Sequence, residues 1–257
     1  MSQGRRGGTA EQGRIYRQAG HDNALLFALF LGLDEDYQRD KQAKKDVIDP
    51  AGDAHSVKSG EKKWQVFLYR RSRFATNHGF RFLNGIGQLL LDCIDAFPPE
   101  YTDYKQDKLR YKRQLQIPMR ELKDRFQDKN LVKAFLSKSI FNSGEVNYLT
   151  IFDNNLFHVY WHEEVIEVLG NNLTVVNSAS RGNAPDSQKV VFKYKNRNTI
   201  ELEIRKSGKN HYREVLLHIM PKPFLKLLRC YIPNQQIYPN VPIQSYGNAI
   251  SRFWRWT

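Results

Sequence analysis

Six short segments following Asn142-Ser143-Gly144 constrain the fold more than any other feature of the chain. They read VNYLTIF, LFHVYW, LTVVNS, KVVFKYK, TIELEIR and VLLHI, separated by turns rich in Gly, Asn and Lys. Aromatic and β-branched residues, alternating with polar ones over runs this short, suit a pleated surface with one buried face. Connections of a few residues join antiparallel neighbours, so residues 141–257 are expected to form a β-rich half. EEVIEVL is expected as one short helix among the strands, PFLKLLRCYI as a last helix, and the tail to Thr257 is rich in Pro and aromatics.

The first half carries a different pattern. A helix is expected from Thr9 to Leu33, with Thr9 as N-cap, Glu11 in its first turn and Gly32 near its end. Leu25, Leu26, Phe27, Leu29 and Phe30 are apolar on nearly all sides, which places it in the core. DVID and AHSVKSG then read as strands around the turn Pro50-Ala51-Gly52-Asp53, and WQVFLY as a third strand or a helix start. Residues 80–140 are expected to be helical: Phe82 to Phe97 ends at Pro98-Pro99, and Leu122, Phe126, Leu131 and Phe135 recur at helical spacing. Tyr101 to Arg113 reads as a Lys-, Tyr- and Arg-rich connector, and Met1 to Gly8 as an arm. The fold class is α+β, with a boundary near residue 140.

Charge narrows the partner. Lys and Arg number 40 against 27 Asp and Glu, a net +13 over 257 residues. Such a surplus points to a polyanion, either nucleic acid or an acidic surface. The apolar run Ala24 to Leu33 is about half the length a bilayer crossing requires, and no secretory leader is visible. Cys93 and Cys230 stand far apart, with no zinc-ligand spacing and no disulfide framework. A soluble, cytoplasmic protein with no membrane partner is expected.

The most informative stretch runs Asp46-Val-Ile-Asp49-Pro-Ala-Gly52-Asp53-Ala-His55-Ser56-Val57-Lys58-Ser59-Gly60. It sets one or two carboxylates on a strand, a tight turn, and a polar-x-Lys triplet on the returning strand. Residues two apart share a strand face, so Ser56 and Lys58 are expected to point together. A carboxylate can hold Mg²⁺ beside a phosphate, and a lysine can steady the developing negative charge.

This hairpin, with an apolar helix before it and helical segments after, resembles the PD-(D/E)XK nuclease core, a mixed sheet flanked by helices. HSVKSGEKKWQVFLY is similar to the equivalent stretch of certain type II restriction endonucleases. The resemblance is most specific over residues 46–74 and looser over 145–220. It implies a Mg²⁺-dependent, sequence-specific endonuclease of a prokaryotic restriction-modification system, cutting double-stranded DNA as a homodimer. Residues 1–140 would be the catalytic core and 141–257 the recognition region. Asp46 matches the metal-binding acid, with Asp49 the competing candidate, and Lys58 matches the motif lysine. Ser56 departs from the pattern, standing where Asp or Glu is usual, so a second carboxylate such as Asp49 or Glu11 is called for. His55 is a candidate to assist.

A rival site lies in the second half, where Pro185-Asp186 precedes Glu201-Leu-Glu203-Ile-Arg205. Arginine in the lysine position suits phosphate or guanine contact better than orienting water. The block is therefore read as DNA-contacting, with Arg181, Lys189, Arg205, His211 and Arg213 as its candidates and Asp186, Glu203 and Arg205 as the competing catalytic set. His158 and His162 are four residues apart, but LFHVYW reads as a strand, which separates them. The alternative function is a non-catalytic, basic nucleic-acid-binding protein.

Overall fold

The computed structural model describes residues 10–34, 45–206 and 208–253, with the side chains of 10–17 excepted. The expected arm, the Thr9 cap, the Glu11 side chain and residues 254–257 of the tail lie outside the described residues. In chain order the elements begin with α1 (Ala10–Phe30), β1 (Val47–Ile48), β2 (Ala54–Ser59) and β3 (Trp64–Tyr69). Helices α2 (Arg71–Thr76), α3 (His78–Arg81), α4 (Ile86–Asp95), α5 (Tyr101–Gln106), α6 (Lys108–Arg125) and α7 (Lys129–Phe141) follow. Next come β4 (Tyr148–Asp153), β5 (Leu156–Trp161), α8 (His162–Asn172), β6 (Thr174–Asn177), β7 (Lys189–Tyr194), β8 (Arg197–Ile204) and β9 (Val215–Ile219). The chain closes with α9 (Pro221–Tyr231), β10 (Gln235–Ile237), β11 (Ile243–Tyr246) and α10 (Ala249–Arg252). No described helix is long and apolar enough to cross a membrane.

The fold is α+β, with one mixed sheet, one antiparallel sheet and flanking helices. The compact units do not follow a boundary at 140. Of the described residues, one comprises those within 1–60, 146–161 and 234–257; the other comprises those within 61–145 and 162–233.

The first unit holds the mixed sheet, in the order β1-β2-β4-β5-β11-β10. β2 runs parallel to β4 and β11 parallel to β5, while the remaining pairs are antiparallel. Helix α1 supplies Phe27 to a core with Val47, Val57, Tyr148, Phe157 and Phe253. Phe27 is fully buried, 5.0 Å from the Phe157 ring, and burial of such a ring contributes about 2–3 kcal/mol.

The second unit holds the antiparallel sheet β3-β9-β8-β7-β6. Ile200, Leu202 and Ile204 alternate with Glu201 and Glu203 along β8, so one face is apolar and the other charged. On the apolar side, Phe192 of β7 meets Phe126 and Phe135 from the helical segment. The expected connector Tyr101–Arg113 is instead helical. Asp107 caps α6 by accepting from Arg110 N at 3.0 Å, and Lys, Arg and Gln are good helix formers. Leu115, Met119 and Leu122 form its buried stripe.

Candidate active site

The β1–β2 hairpin is set by its turn. Asp49 Oδ1 accepts from Asp53 N at 2.9 Å, Asp49 O accepts from Gly52 N at 2.8 Å, and Gly52 adopts φ +89°, a conformation side chains resist. The register places Val47 opposite His55 and Ile48 opposite Ala54. Asp46 N donates to His55 O at 2.9 Å, which brings the Asp46 side chain beside the start of the Ser56–Lys58 triplet.

Three predicted residues meet there. Lys58 Nζ donates to Ser56 Oγ at 2.7 Å and to Asp46 Oδ2 at 3.4 Å. Val57 N donates to the same Asp46 oxygen at 2.7 Å, and Ser56 Oγ lies 3.4 Å from it. Lys58 also reaches Val57 O at 3.1 Å. The ammonium therefore sits among a carboxylate, a hydroxyl and a carbonyl oxygen. Asp46 and Lys58 keep 35% and 21% of their side-chain surface exposed, enough for a ligand to approach.

Asp49 and His55 belong to a different cluster. Adjacent strand residues point to opposite faces, so His55 turns away from Ser56 and into the core. Its Nδ1 lies 2.8 Å from Thr150 Oγ1 and its Nε2 3.4 Å from Asp49 Oδ2, with the ring stacked on Tyr148 at 4.7 Å. Burial pushes the His55 imidazole down against the opposing pull of Asp49, which leaves it neutral at pH 7. Tyr148 OH donates to Asp53 Oδ2 at 3.3 Å, tying the turn to β4. Both Asp49 oxygens are engaged within this network, whereas Asp46 faces the lysine.

The oxygen set around Lys58 is chemically suited to Mg²⁺. That ion prefers hard oxygen ligands and is commonly held by one or two carboxylates, with waters and substrate phosphates completing the shell. A closed, all-protein cage is a different matter. Among the described residues no three His, Cys, Asp or Glu side chains cluster as metal ligands.

The rival residues are dispersed. Asp186 accepts from Arg120 Nη2 at 2.9 Å and also from Gln116, both on α6; the Arg120 hydrogen bond leads in holding its carboxyl below the usual range. Glu203 pairs with Lys189 at 2.5 Å. Neighbouring Glu201 accepts from Lys189 at 3.0 Å and Lys63 at 3.2 Å, and lies 2.9 Å from His218 Nε2. Burial pushes the Glu201 carboxyl up, but the hydrogen bonds from His218 and Lys189 outweigh it and hold it far below the usual range.

The DNA-contact candidates also divide. Arg181, Lys189 and Arg205 line one groove of about 660 Å³, together with Lys112 and Lys206, which the sequence did not single out. His211 Nδ1 lies 2.7 Å from Glu214 Oε2. Arg213 lines a separate depression beside Tyr212 and donates to Asp95 at 2.9 Å and to Ile94 O at 3.2 Å. His158, on β5, is buried 2.7 Å from Tyr246 OH, while His162 opens α8, so the two do not share a helix.

No protein-family model, curated protein or solved structure matches the chain. The functional reading therefore rests on the chemistry of the site.

Proposed function

We propose that the protein is a Mg²⁺-dependent, sequence-specific endonuclease of the type II restriction class, with a PD-(D/E)XK-like core around the β1–β2 hairpin. The observation that carries this reading is the convergence of Asp46, Ser56 and Lys58 at 2.7–3.4 Å on one strand hairpin. The net charge of +13 supports double-stranded DNA as the substrate. Cutting two antiparallel strands calls for two related sites, hence a homodimer acting in a prokaryotic cytoplasm.

The ion would be held by the Asp46 carboxylate, the Ser56 hydroxyl and the Val57 carbonyl, and would there polarise the scissile phosphate and acidify a water. Asp46, anchored by the Val57 N–H, fixes the carboxylate without using its second oxygen. Lys58 contributes a mobile positive charge that can leave Ser56 for a phosphate oxygen or for the attacking water. As water adds to phosphorus, giving its proton to solvent, and the bond to the departing sugar oxygen breaks, the Lys58 ammonium offsets the charge gathering on the non-bridging oxygens. Ser56, a neutral ligand in place of a carboxylate, leaves the pocket less negative and so easier for a phosphodiester to enter.

A non-catalytic nucleic-acid binder is the reading favoured by the single carboxylate at this position. Linear DNA incubated with Mg²⁺, and separately with EDTA, distinguishes the two. Discrete fragments that need Mg²⁺ and disappear in Lys58→Met support the enzyme. A gel shift in both buffers with no fragments in either supports the binder.

A further inference from the structure

The groove in the second unit has a charge balance that its own protein groups do not settle. It lies over β6, β7 and β8 and the segment 178–188, with Lys112 of α6 also lining it. Lys112, Arg181, Lys193, Arg205 and Lys206 all line it, and among the described residues none has a carboxylate oxygen within 4.0 Å. The two acids of the groove, Glu201 and Glu203, are already held by Lys189. Five unpaired cations on a concave surface are a standing electrostatic cost that an anion would remove.

Lys206 is the most telling of the five. Half-buried, its ammonium donates at 2.7 Å to Gln188 Oε1, a neutral acceptor. Gln188 is itself buried and held rigidly, its Nε2 donating to Lys112 O at 2.8 Å and Asp186 O at 3.2 Å. The lysine is thus aimed rather than loose. Burial pushes it down to about 8, and the nearby Lys112 and Lys189 add to the effect against the pull of Glu203. A cation held half-desolvated without a counter-charge, in a cleft, is a candidate ligand site.

The neighbouring amides narrow the anion. Asn177 Nδ2 donates to Met119 O at 2.9 Å, and Asn198 Nδ2 donates to Glu201 Oε1 at 2.9 Å. Their Oδ1 atoms make no hydrogen bond among the described residues, leaving fixed acceptors beside the cations. Cations for phosphates next to oriented amides for base edges suit a nucleic-acid strand.

We propose that this groove binds the phosphate backbone of a nucleic-acid strand, with Lys206 as its central contact and Lys112 and Arg205 beside it. None of its lining residues belongs to the Asp46–Lys58 set, and its occupancy does not depend on cleavage.

The test is fluorescence anisotropy of a labelled DNA duplex in EDTA, where no metal-dependent step proceeds. Lys206→Met should weaken binding about tenfold and lower the log–log salt slope by about one unit. Lys226→Met removes the same charge from the exposed face of α9 and should stay within about twofold of the wild type. Lys206→Arg should restore most of the affinity. Should Lys206→Met not fold, Lys112→Met and Arg205→Met are expected to show the same loss, and wild-type affinity in both would overturn the site. Equal affinities for Lys206→Met and Lys226→Met would likewise refute it. If inorganic phosphate raised the melting temperature of the wild type but not of Lys206→Met, with duplex binding unchanged, the groove would belong to a free phosphate and the strand assignment would be wrong. Loss of cutting in Lys58→Met with duplex binding intact bears only on the nuclease reading.

Discussion

Lys206→Met should make the protein more stable, because the wild-type lysine is charged in a place that disfavours charge. Its ammonium falls from an ordinary 10.5 to about 8 on folding. At about 1.4 kcal/mol per pH unit, that interval sets a ceiling of roughly 3 kcal/mol on what the charged lysine costs at neutral pH. Methionine keeps the length and apolar stem but gives up the hydrogen bond to Gln188, worth about 1 kcal/mol. Solvent at the half-buried head lowers the gain further, leaving a net stabilisation of about 1–2 kcal/mol. For a chain of this size each kcal/mol corresponds to about 2–4 °C in melting temperature. The sign with pH follows from linkage. Between about 8 and 10.5 the unfolded chain holds a proton that the folded chain has lost, so wild-type stability from this group rises with pH across that window. The advantage of the variant is therefore full below pH 8 and fades towards 10.5. Urea unfolding of both proteins at pH 7 and pH 10 measures it, with Gln188, Glu203, Lys112, Lys189 and Cys93 unchanged as the surrounding groups. A variant less stable at pH 7, or an advantage equal at both pH values, would refute the reasoning.

Other perturbations separate structural from functional groups. His55 is buried and neutral, with its imidazole pushed below 6.5, so it withdraws stability as pH falls through 6.5 towards its lowered value. His55→Gln should flatten that acid limb in urea titrations while costing about 1–3 kcal/mol at pH 7 through the contacts to Asp49 and Thr150. Glu201→Gln leaves Lys189 with Glu203 alone and strips charge from the partner of His218 and Lys63, and should cost about 2–4 kcal/mol in thermal unfolding. Arg213→Ala breaks the contacts to Asp95 and Ile94 O, so it should lower the melting temperature and leave duplex affinity within about twofold.

The hairpin was legible because strand alternation alone brings Ser56 and Lys58 to one face. Which acid joins them was not. Asp49 is drawn to the core side by His55, and His55 is held there by Thr150, ninety-five residues away in the chain. All six strand segments after Gly144 formed strands, each a short run rich in aromatic and β-branched residues bounded by turn residues. The helical character of 101–113 was masked by its charge, because the apolar stripe that fixes α6 begins only at Leu115. β10 and β11 were missed for a related reason. Gln235–Ile237 is exposed throughout, and β11 takes its place by pairing parallel to β5, a long-range contact with no local signal. The groove cations come from α6, β7, β8 and the segments flanking them. No spacing rule connects Lys112 with Lys206, whereas the run 205–213 looked like one surface and is in fact divided by Glu214 and Asp95.

Asp46 and Asp49 offer the most direct test of the central claim, since they are three residues apart and the structure gives them different work. Mg²⁺-dependent cleavage of plasmid DNA should be measured for Asp46→Asn and Asp49→Asn, with rates normalised to folded protein. Asparagine at 46 can still accept the Val57 N–H but brings no negative charge to hold a cation tightly, so that variant should lose cutting by about a hundredfold or more with duplex binding intact. Asparagine at 49 should lower the melting temperature through the His55 and Asp53 contacts while cutting within a few-fold of the wild type. An Asp46→Asn protein that cuts normally beside an inactive but folded Asp49→Asn would contradict the account.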